Sequence, residues 1–343
     1  MARKCIYVLD ELGQEHIEVV GRKCASLGEM TRLGMHVPPG FAISVDGLEA
    51  YMQMTGLGAR IAGYFAAKGG DIKRDVRSQI EASLAVREMM TETPLPDEMA
   101  AEIVRNYETL CARFNAPDMA VAVRSSGAIS MPGQMETYLC IRGADQVLNA
   151  VRDVWKSTFN TRAIAFRLEK SMPVDKAPIG VGVIKMVNAK SAGVILTVVP
   201  TTGDPAHAVI EGNWGLGESM VSGEITPDSF IVNKSTLTIE RKISTKPRYV
   251  VSTGTGTAKA DVPDHLQNAA CLDDAEIIEL VRVASNVERH YGAPQDMEWV
   301  IDRDLPFPEN VIWVQARGAK YFAPREDADS DYIVDQMARL FRQ

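Results

Sequence analysis

DMEWVIDRDLPFPENVIWVQARG, residues 296–318, is the stretch on which the reading of this chain turns. It reads as two strands of alternating character joined by a loop holding Pro306 and Pro308. Residues two apart on a strand share a face, so Asp296 goes with Glu298 and Gln315 with Arg317. A turn centred near Pro306 and Phe307 would set Glu298 opposite Gln315 and Asp296 opposite Arg317. Carboxylates, an amide oxygen and a guanidinium would then converge. A hard ion such as Mg²⁺ takes a few side-chain oxygens and completes its shell from phosphates and water, which suits Glu298 and Gln315. Arg317 could hold a phosphate bidentately. Taken alone, the same pattern also describes a solvated cross-strand salt bridge, and the other segments have to decide.

Upstream of the hairpin, residues 273–291, DDAEIIELVRVASNVERHY, place Ile277, Leu280, Val281, Ala284 and Val287 on one helical stripe with acidic residues in the first turn. Gly292 and Pro294 end that helix. The texture before it is strand-rich: IGVGVIKMV, SAGVILTVVP, HAVIEGNWG, DSFIVNK with STLTIERKI, and RYVVSTG are separated by turn residues. Further back the chain is mainly helical through about residue 114, starting with GRKCASLGEMTRLG, in which Leu27, Met30 and Leu33 share a face. A short buried strand, MAVAV, then empties into the polar loop RSSGAISMPGQMETY, and a long helical pattern follows from about Asp145 to Ser171. The proline-bearing MPVDKAP reads as a connection. The expected organisation is α+β: a helix-rich lobe over 1–178, a strand-rich lobe over 179–321, and a C-terminal linker with a short amphipathic stretch over 322–343.

The 343 residues, 46% hydrophobic and 24% charged, have the proportions of a globular protein with more than one core. A net charge of −8, from 37 Lys and Arg against 45 Asp and Glu, is the wrong sign for tracking a nucleic-acid backbone. The five cysteines are scattered and form no C-x-x-C pair, which fits a reducing cytoplasm. MARKCIYVLDELGQE lacks the apolar core of an export signal, and VGVIKMVNAKSAGVILTVVP is interrupted by Lys185, Asn188 and Lys190, so neither export nor a membrane span is expected.

Three further segments bear on anions. Arg124 ends the MAVAV strand and is followed by Ser125, Ser126, Gly127 and the Met131-Pro132-Gly133 turn, small residues that let backbone N–H groups approach phosphate oxygens. The Walker pattern is absent, and an ordinary surface loop has the same composition. Lys23 sits in the first turn of its helix, where the helix N-terminus favours anions, although lysines near helix ends are commonplace. EGNWGLGES carries three glycines around Trp214.

These segments occur together and in order. GRKCASLGEM with GMHVPPGFAIS, AVRSSGAISMPGQMETYL, NWGLGESMVSGEITPDSFIV and the closing hairpin resemble the nucleotide-binding domain of the phosphoenolpyruvate synthase and pyruvate phosphate dikinase family over roughly residues 15–320. The resemblance implies an ATP-grasp-like fold, two α+β lobes with Mg-ATP between them. It implies that Lys23 and Arg124 hold phosphates, that Glu298 and Gln315 ligate Mg²⁺, that Arg317 adds a phosphate contact and that Asp296 is a supporting or catalytic carboxylate. It also implies that the loop with Gly133, Gln134, Met135 and Thr137 meets the terminal phosphates, that Lys185, Met186 and Val187 receive the adenine, and that Glu218 contacts the nucleotide. Arg22 departs from the pattern, standing where many relatives have a second glycine.

In the family this domain passes a phosphoryl group from ATP to a histidine on a separate swivelling domain. None of His16, His36, His207, His265 and His290 lies in the glycine- and threonine-rich motif, closed by His-Ala, that carries that histidine. The expectation is a catalytic subunit acting on a phosphohistidine-carrying partner, which hands the group to a small-molecule acceptor and releases AMP over the cycle. Such a stand-alone domain is similar to the ATP-binding subunit of phenylphosphate synthases, where phenol is the acceptor. Rifampin-phosphotransferase-like or phosphoenolpyruvate-synthase-like subunits, and a non-catalytic ATP-sensing subunit, are the alternatives.

Overall fold

The computed structural model describes residues 4–69, 72, 75–129, 135–218 and 225–322. The expected α+β class is found: among the described residues the strands form two larger antiparallel sheets and one two-stranded sheet. The first sheet has the order β1-β2-β5-β3-β4, from β1 (Ile6–Val8), β2 (Gly40–Ile43), β3 (Val121–Ser126), β4 (Thr137–Ile141) and β5 (Gly180–Lys185). Alternation along β3 divides its side chains between two environments. Val121 and Val123 bury in a core with Phe41, Ile43, Val181 and Val183. That core is covered by α2 (Val45–Met54), α3 (Leu57–Lys68), α4 (Val76–Glu92), α5 (Asp97–Arg113), α6 (Ala144–Ser157) and α7 (Thr161–Glu169). Within it Tyr51 stacks on Trp155, with centroids 5.4 Å apart, and the Tyr51 hydroxyl donates to the Thr93 carbonyl at 2.7 Å.

The second sheet runs β13-β12-β6-β7-β8-β9, from β6 (Ala189–Leu196), β7 (His207–Trp214), β8 (Asp228–Asn233), β9 (Ile239–Lys242), β12 (Gln295–Asp302) and β13 (Val311–Gly318). One face packs Ile195, Ile210, Phe230, Met297, Trp299 and Trp313 against the helix Asp274–Tyr291. That helix buries the stripe expected of it, is capped reciprocally by Asp273 and Glu276, and ends at Gly292 with φ 65°. β10 (Arg248–Ser252) and β11 (Thr257–Asp261) form the two-stranded sheet; β11 has no counterpart in the sequence reading. At the foot of β8, Lys246 and Asp228 form a fully buried ion pair of 2.6 Å. The Asp228 carboxylate also accepts from Ser244 N and Cys271 N, so the pair is hydrogen-bonded on several sides.

Two features differ from the organisation expected. MPVDKAP connects α7 to β5 and divides no sheets, because β5 pairs with β2 and β3 in the first sheet. The passage between sheets falls at 186–188 rather than after residue 178. Hydrophobic texture marks a strand but carries no information on which sheet it joins. GRKCASLGEMTRLG is helical as expected through Arg32, within α1 (Ile17–Arg32), and the buried side chains of α1 join the second core, where Cys24, Ala25, Leu27 and Met30 lie with Trp299 and Trp313. Leu33 is exposed, lying past the helix end. Residues 323–343, including the amphipathic stretch, lie outside the described residues.

Candidate nucleotide site

α1 lies between the two sheets and brings their polar faces together. On the first sheet, Ala42, Gly182, Arg124 and Thr137 form a transverse row on the face away from the helical core. Gly182 admits α1 closely: a Cβ there would come within 3.0 Å of Cys24 Sγ. α1 breaks at Gly21, whose φ of 79° and ψ of 164° redirect the chain before Lys23. A side chain at Gly21 would meet the Ser126 carbonyl oxygen at 2.0 Å. The helix resumes over Arg22–Arg32, with Cys24 N donating to Ser126 Oγ at 3.1 Å and Arg22 N to the Gly127 carbonyl at 3.0 Å. Two residues past Cys24, Ser26 ties α1 to the second sheet, its hydroxyl donating to the Ala316 carbonyl at 2.9 Å.

On the second sheet the hairpin has the expected pairing, Asp296 with Arg317 and Glu298 with Gln315. A bulge follows: Trp299 pairs with Trp313, leaving Val314 as the extra residue on β13. Arg124 reaches across from the first sheet to this spot. Its Nη2 donates to Gln315 Oε1 at 2.9 Å, and its Nη1 lies 3.5 Å from the Val314 carbonyl oxygen. Gln315 passes the chain on, its Nε2 donating to Glu298 Oε1 at 2.7 Å. Beside them Arg317 donates from Nε to Asp296 Oδ2 at 2.9 Å. Arg124, Gln315 and Glu298 are thus one continuous polar chain.

Lys23 completes the group. Among the described residues it makes no hydrogen bond or ion pair, and its amine is pushed down to about 8. Burial is the main cause, followed by repulsion from the Arg124 guanidinium, partly offset by attraction to Glu298. A half-buried cation with other cations close by and no ion pair of its own is suited to a polyanionic ligand. Burial also pushes the neighbouring Cys24 thiol up, leaving that residue a packing group.

The structure therefore brings together Lys23, Arg124, Glu298 and Gln315, with Arg317 near enough to influence Lys23 and Asp296 paired to Arg317. Thr137 stands opposite Arg124 on β4, and Met135 packs against the first core. Gly133 and Gln134 lie outside the described residues. Lys185 is three residues along β5 from Gly182, about 10 Å from the Arg124 row at strand spacing. The N–H groups of Lys185 and Met186 are already taken by the Pro39 and Ala120 carbonyls, and the Lys185 amine sits over the Phe114 ring. Glu218 is exposed and has no polar partner among the described residues.

One carboxylate escaped the sequence reading. Glu211 stands in the row Gln315, Glu298, Val194, Glu211, so it shares the face of the hairpin's polar residues. The alternation of HAVIEGNW, which separates buried Ala208 and Ile210 from half-buried Val209 and Glu211, was the available signal.

Residues 17–336 match the family described as pyruvate phosphate dikinase, AMP/ATP-binding domain. The chain belongs to that family. Its curated relatives include a probable phosphoenolpyruvate synthase of Staphylothermus marinus, 35% identical over 95% of this chain and 42% of the relative. Another, from Methanothermobacter thermautotrophicus, is 37% identical over 87% of this chain and 44% of the relative. The phosphoenolpyruvate synthase of Neisseria meningitidis is 33% identical, with 87% and 40% covered. The chain thus spans less than half the length of these relatives. Among the described residues, no helix is long and apolar enough to cross a membrane.

Proposed function

We propose that this chain is the ATP-binding catalytic subunit of a dikinase-type phosphotransferase, with an ATP-grasp-like cleft between its two sheets. The observation that carries this reading is the polar chain from Arg124 through Gln315 to Glu298, with Lys23 unpartnered beside it. Family membership supports ATP as the ligand. Phosphoryl transfer asks a protein mainly for positioning and charge neutralisation. Lys23 and Arg124 bind the phosphates from the first-sheet side, and Arg317, oriented by Asp296, adds a contact from the second. Lys185, Met186 and Val187 border the adenine at the passage between the sheets.

The donor set fits Mg²⁺: Glu298 offers a carboxylate, Gln315 an amide oxygen, and a hard ion of that size takes its other ligands from phosphates and water. Glu298 and Gln315 would hold it, and when bound it would neutralise phosphate oxygens. In the arrangement described, Gln315 Oε1 accepts from Arg124 and Glu298 Oε1 accepts from Gln315. The chain thereby preorganises oxygens that face the cleft.

The transferred group goes to a histidine on a separate partner subunit and from there to a small-molecule acceptor, of phenol type, with AMP as a product. The names of the relatives favour a second acceptor, pyruvate. The test is incubation of the chain with Mg²⁺ and β-labelled ATP, with and without the candidate partner, on a gel that preserves acid-labile phosphate. Label on the partner together with AMP supports the reading, and adding phenol or pyruvate then separates the acceptors. Nucleotide binding without any transfer would replace it with an ATP-sensing subunit.

A further inference from the structure

Arg22 makes a contact that neither the proposed reaction nor the sequence reading assigns. Three successive residues leaving β3 each accept one hydrogen bond from the restarted turn of α1. Ser126 Oγ takes Cys24 N at 3.1 Å, the Gly127 carbonyl takes Arg22 N at 3.0 Å, and the Ala128 carbonyl takes Arg22 Nε at 2.6 Å. The first two donors are backbone groups that any non-proline residue supplies. The third exists only because residue 22 has a donor four atoms out along its side chain. The Arg22 side chain is exposed, so water competes for the Ala128 carbonyl, and the planar guanidinium offsets this by presenting its N–H in a fixed direction.

We propose that Arg22 is a positioning residue: its bond to Ala128 fixes the first residues of the β3–β4 connection against the start of α1. This sets where Gly127 and Ala128 stand relative to Lys23. The effect on ligand binding rests on the nucleotide reading above; the anchoring itself does not. Gly21 immediately before it brings the α1 backbone so close to Ser126 that an added Cβ would lie 2.0 Å from the Ser126 carbonyl oxygen.

Two variants separate the bond from the charge. Arg22→Gln retains an N–H donor at the position of Nε and loses the charge, whereas Arg22→Met keeps the length and loses both. Two readouts are needed: the affinity of the full chain for Mg-ATP by calorimetry, and amide hydrogen exchange of the peptide covering residues 125–129 in the free protein. The expected result is about tenfold weaker binding for Arg22→Met, the change for one lost hydrogen bond. Faster exchange at 127–129 should accompany it, and Arg22→Gln should recover most of both. If Arg22→Gln is as weak as Arg22→Met, charge rather than the bond matters and the proposal is overturned; it is equally overturned if Arg22→Met matches the wild type. Should the wild-type chain fail to bind Mg-ATP, the nucleotide reading falls, and the exchange measurement still decides whether Arg22 anchors Ala128.

Discussion

Arg124 on the first sheet donates to the side chain of Gln315 on the second at 2.9 Å, across 191 positions of sequence. This hydrogen bond makes the two halves of the site one polar unit, and it directs the first experiment. Replacing Arg124 with Ala should lower phosphotransfer by about 10² to 10³, the loss typical of a preorganised charge stabiliser. Arg124→Lys should restore little of it, because a lysine cannot present the planar fork that spans Gln315 and a phosphate. Single-turnover transfer of β-label checks both variants.

Lys23 gives a pH prediction. Its amine titrates at about 8 in the folded chain, below the ordinary lysine value of 10.5, so between these values the unfolded chain binds more protons than the folded one. The destabilising contribution of burying this cation is fully present below pH 8 and is relieved as pH rises through 8 toward 10.5. Affinity for a triphosphate should move the other way, weakening above pH 8 as the charge is lost. Calorimetric titration across pH 6.5–9.5 should show this slope in the wild type and its absence in Lys23→Met.

Gly21→Ala tests the break in α1. The new methyl would sit 2.0 Å from the Ser126 carbonyl oxygen at a residue with φ 79°, so backbone has to move. A loss of at least about 2 kcal/mol in unfolding free energy is expected. Urea denaturation measures it, and an unchanged midpoint would remove the argument for tight packing of α1 on β3.

Lys246→Met would leave the Asp228 carboxylate buried without its counter-ion, since both side chains are fully inaccessible. The expected cost is about 3–5 kcal/mol. Asp228→Asn with Lys246→Met, which removes both charges, should recover part of it, and a denaturation series over the single and double variants reads the coupling.

Glu298→Gln should raise the Mg²⁺ concentration needed for half-maximal ATP binding by tenfold or more, since an ionised oxygen donor becomes a neutral amide. The Gln315 partner at 2.7 Å remains able to bond the new side chain, so stability should change little. Magnesium titrations at fixed nucleotide distinguish the two effects.

Local periodicity made much of this legible. The pairing of Asp296 with Arg317 and of Glu298 with Gln315 followed from alternation and a turn position, and the helix ending at Tyr291 followed from its stripe and cap. Partnership between distant segments did not follow. Alternation in IGVGVIK assigns faces but cannot say that β5 joins β2 and β3 rather than β6. The same limit hid the allegiance of α1 to β13, since an apolar stripe is satisfied by any apolar surface. Glu211 was missed because its neighbours in the site come from β6 and β12, not from nearby sequence. The bulge at Glu298 and Trp299 leaves no mark in an alternating pattern.

The seating of Leu27 and Met30 in one core with Trp299 and Trp313 has a consequence for the order of assembly during synthesis. A ribosome delivers α1 about 260 residues before β12 and β13, which complete the core around it, and sheet β1 to β5 can close once Lys185 has emerged. Until the last hairpin follows, a nascent chain carries α1 with its Leu27 and Met30 side open beside a finished domain core, the kind of surface that chaperones bind. Lys23 is carried on that helix, so the cation comes under the influence of Glu298 only when the closing hairpin arrives.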